Sequence, residues 1–278
     1  MNRYILAIII SALTLAACDS DEPGQSGPMP LVVEGWIEEG AAPIVMVTRA
    51  VDLTADTASF DGFVEKWARV SVFDDGVQYI LTGRVNKDYM PPFVFTSTRL
   101  RGRQGHTYRL LVETETDTVE ATATLLPPPD LTSLKAVLEN AVDSLYSIRA
   151  FLSDITPEGC YKFFARDVDN ESRFFGSFLG TFRGYEYKPD EGWTVTAGVH
   201  TSYDSDDYSH YYPSGSRITV KACSLAPELY DFWSVYDANI SLSQNIFFTF
   251  AGNCPSNIQG GLGYWAAYGV SQRSIKIP

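Results

Sequence analysis

From Tyr108 to Leu125 apolar and polar residues take turns along the chain, and no other feature narrows the possible folds as much. Tyr108, Leu110 and Val112 stand against Arg109 and Glu113; after a polar turn at Glu115 to Asp117, Val119, Ala121, Ala123 and Leu125 stand against Glu120, Thr122 and Thr124. A period of two sends one set to each face of a pleated strand, so this stretch predicts a half-buried antiparallel hairpin. Upstream, "ARVSVFDDGVQYIL" repeats the pattern around Asp75-Gly76, a pair that readily takes the positive φ of a tight hairpin turn. "LVVEGWIEEG" and "PIVMVTRAV" are β-branched runs separated by a turn that contains Gly40. Short strands at this spacing predict an immunoglobulin-like antiparallel sandwich over residues 31–126.

Pro127, Pro128 and Pro129 then interrupt the pattern, because proline cannot donate to a sheet. The chain of 278 residues is long enough for two cores, and a boundary is expected here. Residues 130–278 read as a second antiparallel β domain, with strands in "SLYSIRAFL", "CYKFFARDV", "RFFGSFLGTF", "SRITVKAC" and "NIFFTF". It carries one amphipathic helix near 225–238. There Leu225, Leu229, Phe232, Trp233 and Tyr236 form a single stripe, Ser224 is placed to cap, and Pro227 and Glu228 suit a first turn.

The first thirty residues concern location. A single Arg3, an apolar run from Tyr4 to Leu15 and small residues ending in "LAAC" have the layout of a secretory signal over residues 1–17, too short to span a bilayer permanently. The cysteine in that place, Cys18, resembles the lipidated residue of a bacterial lipobox, an anchor of about 0.8 kcal/mol per buried methylene. Residues 18–30, with Asp19, Asp21, Glu22 and then "PGQSGPMP", read as a flexible tether. Net charge is −13 and becomes one unit more negative without Arg3, which argues against nucleic acid as a partner. Cys160, Cys223 and Cys254 then remain in an oxidising compartment, where Cys223 paired with Cys254 is the expected disulfide.

Candidate chemistry is sparse. "GGLG" at Gly260 to Gly263 lacks the parallel β-α-β setting of a dinucleotide cradle and reads as a tight turn or bulge closing the second domain, packed through Tyr264, Trp265 and Tyr268. His106, His200 and His210 show no metal-ligand spacing, and neither a zincin motif nor a nucleophile elbow is present. Ser177 within "GSFLG", or Cys160 or Cys254 with His200, are the remaining nucleophile candidates. No catalytic residues, metal or cofactor are therefore assigned. The acidic, tyrosine-rich stretch from Thr201 to Gly215 stands out as a loop for ligand or partner contact, through Tyr203, Asp204, Asp206, Asp207, Tyr208, Tyr211 and Tyr212; its aspartates could alternatively offer oxygens to calcium.

Four stretches together resemble one family: "LVVEGWIEEG", "GHTYRLLVET" followed by "ATATLLPPPDL", "LYDFWSVY", and "SNIQGGLGYWAAYGVS". This is a Bacteroidota lipoprotein family known as domain of unknown function 4249. The resemblance implies a cell-envelope lipoprotein linked with TonB-dependent outer-membrane transporters and without assigned catalytic residues. Together with Asp19, Asp21 and Glu22, which resemble a surface-export signal, it leads to the expectation of an outer-membrane lipoprotein facing the cell exterior that acts as a non-enzymatic binding or accessory partner of such a transporter. A surface adhesin or structural envelope protein, and a hydrolase, are the alternatives.

Overall fold

The computed structural model describes residues 29–50, 60–198, 209–243 and 253–278. The signal segment, Cys18 and nearly all of the tether lie outside the described residues, as do Tyr203, Asp204, Asp206, Asp207 and Tyr208. The fold is mainly β, as the alternation predicts, with one α-helix among the described residues. That helix is not long and apolar enough to cross a membrane.

The N-terminal half supplies β1 (Leu31–Glu38), β2 (Ile44–Arg49), β3 (Arg69–Asp74), β4 (Val77–Ile80), β5 (Thr82–Val85), β6 (Phe93–Thr96), β7 (Thr107–Glu113) and β8 (Thr118–Thr124). The C-terminal half supplies β9 (Asp130–Asn140), β10 (Leu145–Ser153), β11 (Cys160–Asp167), β12 (Phe175–Arg183), β13 (Trp193–Val195), β14 (Tyr212–Pro213), β15 (Arg217–Leu225), helix α1 (Pro227–Ser243) and β16 (Leu262–Lys276). The predicted hairpin from Tyr108 to Leu125 forms as β7 and β8, paired in register from Thr107 opposite Thr124 to Glu113 opposite Thr118. Asp75 and Gly76 both take positive φ, 49° and 79°, in the turn between β3 and β4.

One long sheet organises everything, in the order β12-β11-β15-β16-β1-β2-β6-β5. Two smaller sheets, β4-β3-β7-β8 and a group built on β10, pack against its two ends. The hinge of this arrangement is β16. Its first half, Leu262 to Tyr268, runs parallel to β1, and its second half, Gly269 to Lys276, pairs antiparallel with β15. The proline segment after β8 therefore marks a crossing of the chain, not a division into two self-contained domains. The first core gathers Val33, Ile37, Val70, Val72 and Leu110 and is closed by Ile258, Trp265 and Ala267 from the other end of the sequence. Trp265 is fully buried there and donates its indole N–H to the Tyr108 carbonyl at 3.0 Å.

The glycines before and in β16 are structural. Gly260 and Gly263 adopt φ of 81° and 98°, conformations that side chains resist, whereas Gly261 does not share that geometry. A Cβ on Gly263 would collide with the Val33 carbonyl, because β16 passes close over β1. The turn thus opens a strand of the first sandwich before it serves the second, which corrects its expected placement in the second domain alone.

A second core, with Ile148, Ala150, Phe163, Val220 and Trp193, lies between the β10 group and the β11-β15 end of the long sheet. Tyr212 belongs to this core. It is only 5% exposed, on a two-residue strand held against Tyr146 of β10, so it does not form part of a contact loop; Tyr211, at 38%, is exposed. A third cluster forms on the opposite face of the long sheet, where Leu225, Leu229, Trp233, Tyr264 and Tyr268 meet beneath α1. The expected helical stripe makes these contacts through Leu229, Phe232 and Trp233, while Leu225 joins them from the end of β15 and Tyr236 is exposed; Pro227 opens the helix with Glu228 in its first turn. Ser224 does not cap it. The residue stays within β15, and its hydroxyl donates to the Pro127 carbonyl at 2.7 Å.

Candidate functional site

Strand alternation is what builds the site. In β1, Leu31, Val33 and Ile37 point into the first core, which forces Glu34, Trp36 and Glu38 onto the opposite face. Beside them on that face β16 presents Tyr264 and Tyr268, while Phe164 of β11 and Lys221 of β15 continue the surface across the sheet. Helix α1 stands over it with Trp233, Tyr236 and Asp237, and the segment between β11 and β12 adds Arg173 and Phe174. Between sheet, helix and segment lies a cavity of 760 Å³. Its size falls within the usual range for small-molecule sites, and its aromatic walls with a few converging charges match their usual lining.

The charges are mostly paired. Lys221, almost fully buried, reaches Glu38 at 2.6 Å and lies over the Phe174 ring at 4.1 Å. Behind the cavity wall Lys162 is fully buried and donates to both oxygens of Asp237 at 2.9 Å, and to the Ser177 carbonyl at 3.3 Å. Thr181 donates to Asp237 at 2.6 Å. Burial pushes the Lys162 ammonium downward from its usual range, and the Asp237 carboxylate pulls in the other direction. This buried, multiply bonded pair fastens α1 to β11.

Glu34 is different. Its carboxylate accepts the Tyr264 hydroxyl at 3.0 Å, and burial raises its pKa despite that bond and the nearby Arg173 charge. The phenols of Tyr264 and Tyr268 are held well above their ordinary range, first by burial, and the Tyr236 phenol is pushed up to about 12. They are neutral hydrogen-bonding groups at physiological pH. Tyr268 accepts the Trp233 indole N–H at 3.2 Å, which orients the ring over the cavity.

Among the described residues that the sequence singles out, Trp233, Tyr236, Tyr264 and Tyr268, expected as packing residues, line this cavity, while His200, Tyr203, Asp204, Asp206, Asp207 and Tyr208 lie outside the described residues. The expected disulfide is not formed. Cys223 and Cys254 are both free thiols, the first fully buried on β15 beneath α1, the second beyond the helix with the Asn239 amide at 3.9 Å. Burial raises the pKa of Cys160, Cys223 and Cys254, the reverse of what an activated nucleophile needs. Ser177 is fully buried and accepts the Thr196 backbone N–H at 3.0 Å.

His106 has a different setting. Its Nδ1 lies 2.7 Å from Asp74 and 3.3 Å from Asp75, so these three could ligate a cation in principle. However, the Arg103 guanidinium already holds the second Asp74 oxygen at 2.7 Å, and the group serves as a clasp at the end of β3.

The signal for the cavity was present in the sequence but indirect. Glutamates and a tryptophan on one face of "LVVEGWIE", and single lysines inside the apolar runs "YKFF" and "TVKA", are residues a central strand does not ordinarily bury without partners. Their convergence is tertiary.

No curated protein matches the chain. Over residues 20–274 it matches the family described as Domain of unknown function (DUF4249), and to that family the protein belongs.

Proposed function

We propose that the protein is a non-enzymatic binding component of the outer membrane of Bacteroidota, anchored through Cys18 and facing outward, that captures a small ligand beneath α1 for a TonB-dependent transporter. The observation that carries the binding role is the 760 Å³ cavity with aromatic walls and partly unpaired charge. The anchor is supported by the "LAAC" stretch and the tether behind it, and the transporter partner by the family resemblance.

Ala42 lines the cavity, so Ala42→Trp would fill space without removing a large side chain. Native mass spectrometry of the full chain extracted from membranes should detect a bound small molecule that Ala42→Trp loses. An identical mass profile for both proteins, after incubation with pooled metabolites and saccharides, would refute the binding role. Cys18→Ser should release the protein from membranes, and retention in the membrane fraction would refute the anchor.

A further inference from the structure

The charge balance inside the cavity identifies a ligand class, an inference that rests on the binding role proposed above. Glu38 is neutralised by Lys221, and Asp237 by Lys162. Two charged groups remain. Glu34 has the Tyr264 hydroxyl as its hydrogen-bond donor among the described residues. Arg173 is half-buried, stacks over Tyr89 at 5.6 Å and Phe175 at 4.7 Å, and has no carboxylate within ion-pair distance among the described residues. Arg173 also borders an adjoining pocket of 310 Å³, whereas Glu34 lines the larger cavity alone. Both groups therefore line one continuous space, near enough for the Arg173 charge to act on Glu34 but with no direct ion pair between them.

We infer that the ligand is a zwitterion with an apolar body, an amino acid or short peptide, its ammonium seated against Glu34 and its carboxylate against Arg173. An ammonium supplies the donors that the Glu34 carboxylate lacks, and the aromatic residues Trp36 and Tyr264 line the same cavity. A guanidinium lying over two aromatic rings can make a two-point bond to a carboxylate. Phe164, Phe174 and Trp233 offer apolar surface for the side chains between the two ends. A neutral sugar would leave the buried Glu34 carboxyl with one hydroxyl donor and Arg173 with no direct carboxylate partner, an arrangement that costs free energy. The raised pKa of Glu34 is consistent with a carboxylate that awaits a partner.

The test is calorimetric titration of the full chain with the tripeptide Leu-Phe-Leu, its N-acetyl form and its C-terminal amide, against the native protein, Glu34→Gln and Arg173→Gln. Capping either end should weaken binding to the native protein about tenfold or more, the loss expected when a charge-assisted bond is removed. Glu34→Gln should erase the discrimination against the N-acetyl form only, and Arg173→Gln the discrimination against the amide only. Unchanged unfolding midpoints establish that both variants are folded. Equal affinity for free and capped peptides, or no peptide binding at all, overturns the inference. In the second case, a saccharide or other metabolite that binds the native chain and not Ala42→Trp leaves the cavity's binding role standing, and the absence of any such compound removes both.

Discussion

The two faces of the long sheet are made by the same strands and solve opposite problems. On the inner face, Val33, Ile37 and Trp265 meet β3 and β7 in an apolar core with one indole hydrogen bond at its centre. On the outer face, one residue along in each strand, Glu34, Glu38, Tyr264 and Tyr268 share space with Lys221 and Trp233. The inner face is filled, so its contribution to stability is burial of apolar area, about 1.5–3 kcal/mol for each large side chain. Among the described residues the outer face borders a cavity, and its polar groups are satisfied largely by one another. The contrast implies that folding energy and ligand recognition are separated by a single step of strand alternation.

That separation can be broken at graded cost. Trp265→Ala on the inner face should lower stability most, by about 4 kcal/mol, since it removes the largest fully buried side chain and a hydrogen bond. Denaturant unfolding measures this, and a loss under 1 kcal/mol would mean that the two sandwiches are not held together as described. Lys162→Met should cost about 3 kcal/mol because Asp237 is left buried without its cation; adding Asp237→Leu should recover much of the loss. If the double variant is no more stable than the single, the pair does not act as a unit.

The Asp74 clasp lies apart from both faces and has a distinct pH signature. Burial alone would raise the Asp74 pKa, but hydrogen bonds from Arg103 and His106 overcome it and hold it below the usual carboxylate range. A depressed folded pKa contributes stability that is present above the unfolded value and lost as pH falls through the folded value. Asp74→Asn should therefore cost about 2 kcal/mol at neutral pH, and the difference from the native protein should shrink as the pH is lowered below the ordinary carboxylate range. A constant difference across acid pH would remove this account. The smallest effect belongs to the outer face: Ala42→Trp should change stability by less than about 0.5 kcal/mol while abolishing ligand capture. A large loss of stability there would mean that the cavity wall at Ala42 is packed, not open.

Local chemistry was legible in the chain. The strands around Tyr108 and Val119, the turn at Asp75-Gly76 and the helical stripe through Leu229, Phe232 and Trp233 formed where residue pattern required them, whereas Leu225 ended in β15. The site was only partly legible. Trp233, Tyr264 and Tyr268 were recognisable as packing residues, but nothing local distinguishes a tyrosine that fills a core from one that walls a cavity. Tyr212 shows the converse: polar neighbours suggested exposure, and strand pairing with Tyr146 buries it.

The sequence by itself determined which residues sit on opposite faces of each strand, because side-chain alternation is a property of the backbone and needs no knowledge of partners. It also determined where sheet pairing stops, through Pro127 to Pro129, and where positive φ is demanded, at Asp75-Gly76; at the GGLG turn the structure places it at Gly260 and Gly263. Only the tertiary structure decided which strands are neighbours. That β16 lies against β1, so that Tyr264 meets Glu34 across 230 residues, depends on hydrogen-bond register between distant segments, and every backbone offers the same donors and acceptors. The same decision turned two expected domains into one continuous sheet and brought Glu34, Arg173 and Lys221 around a single cavity.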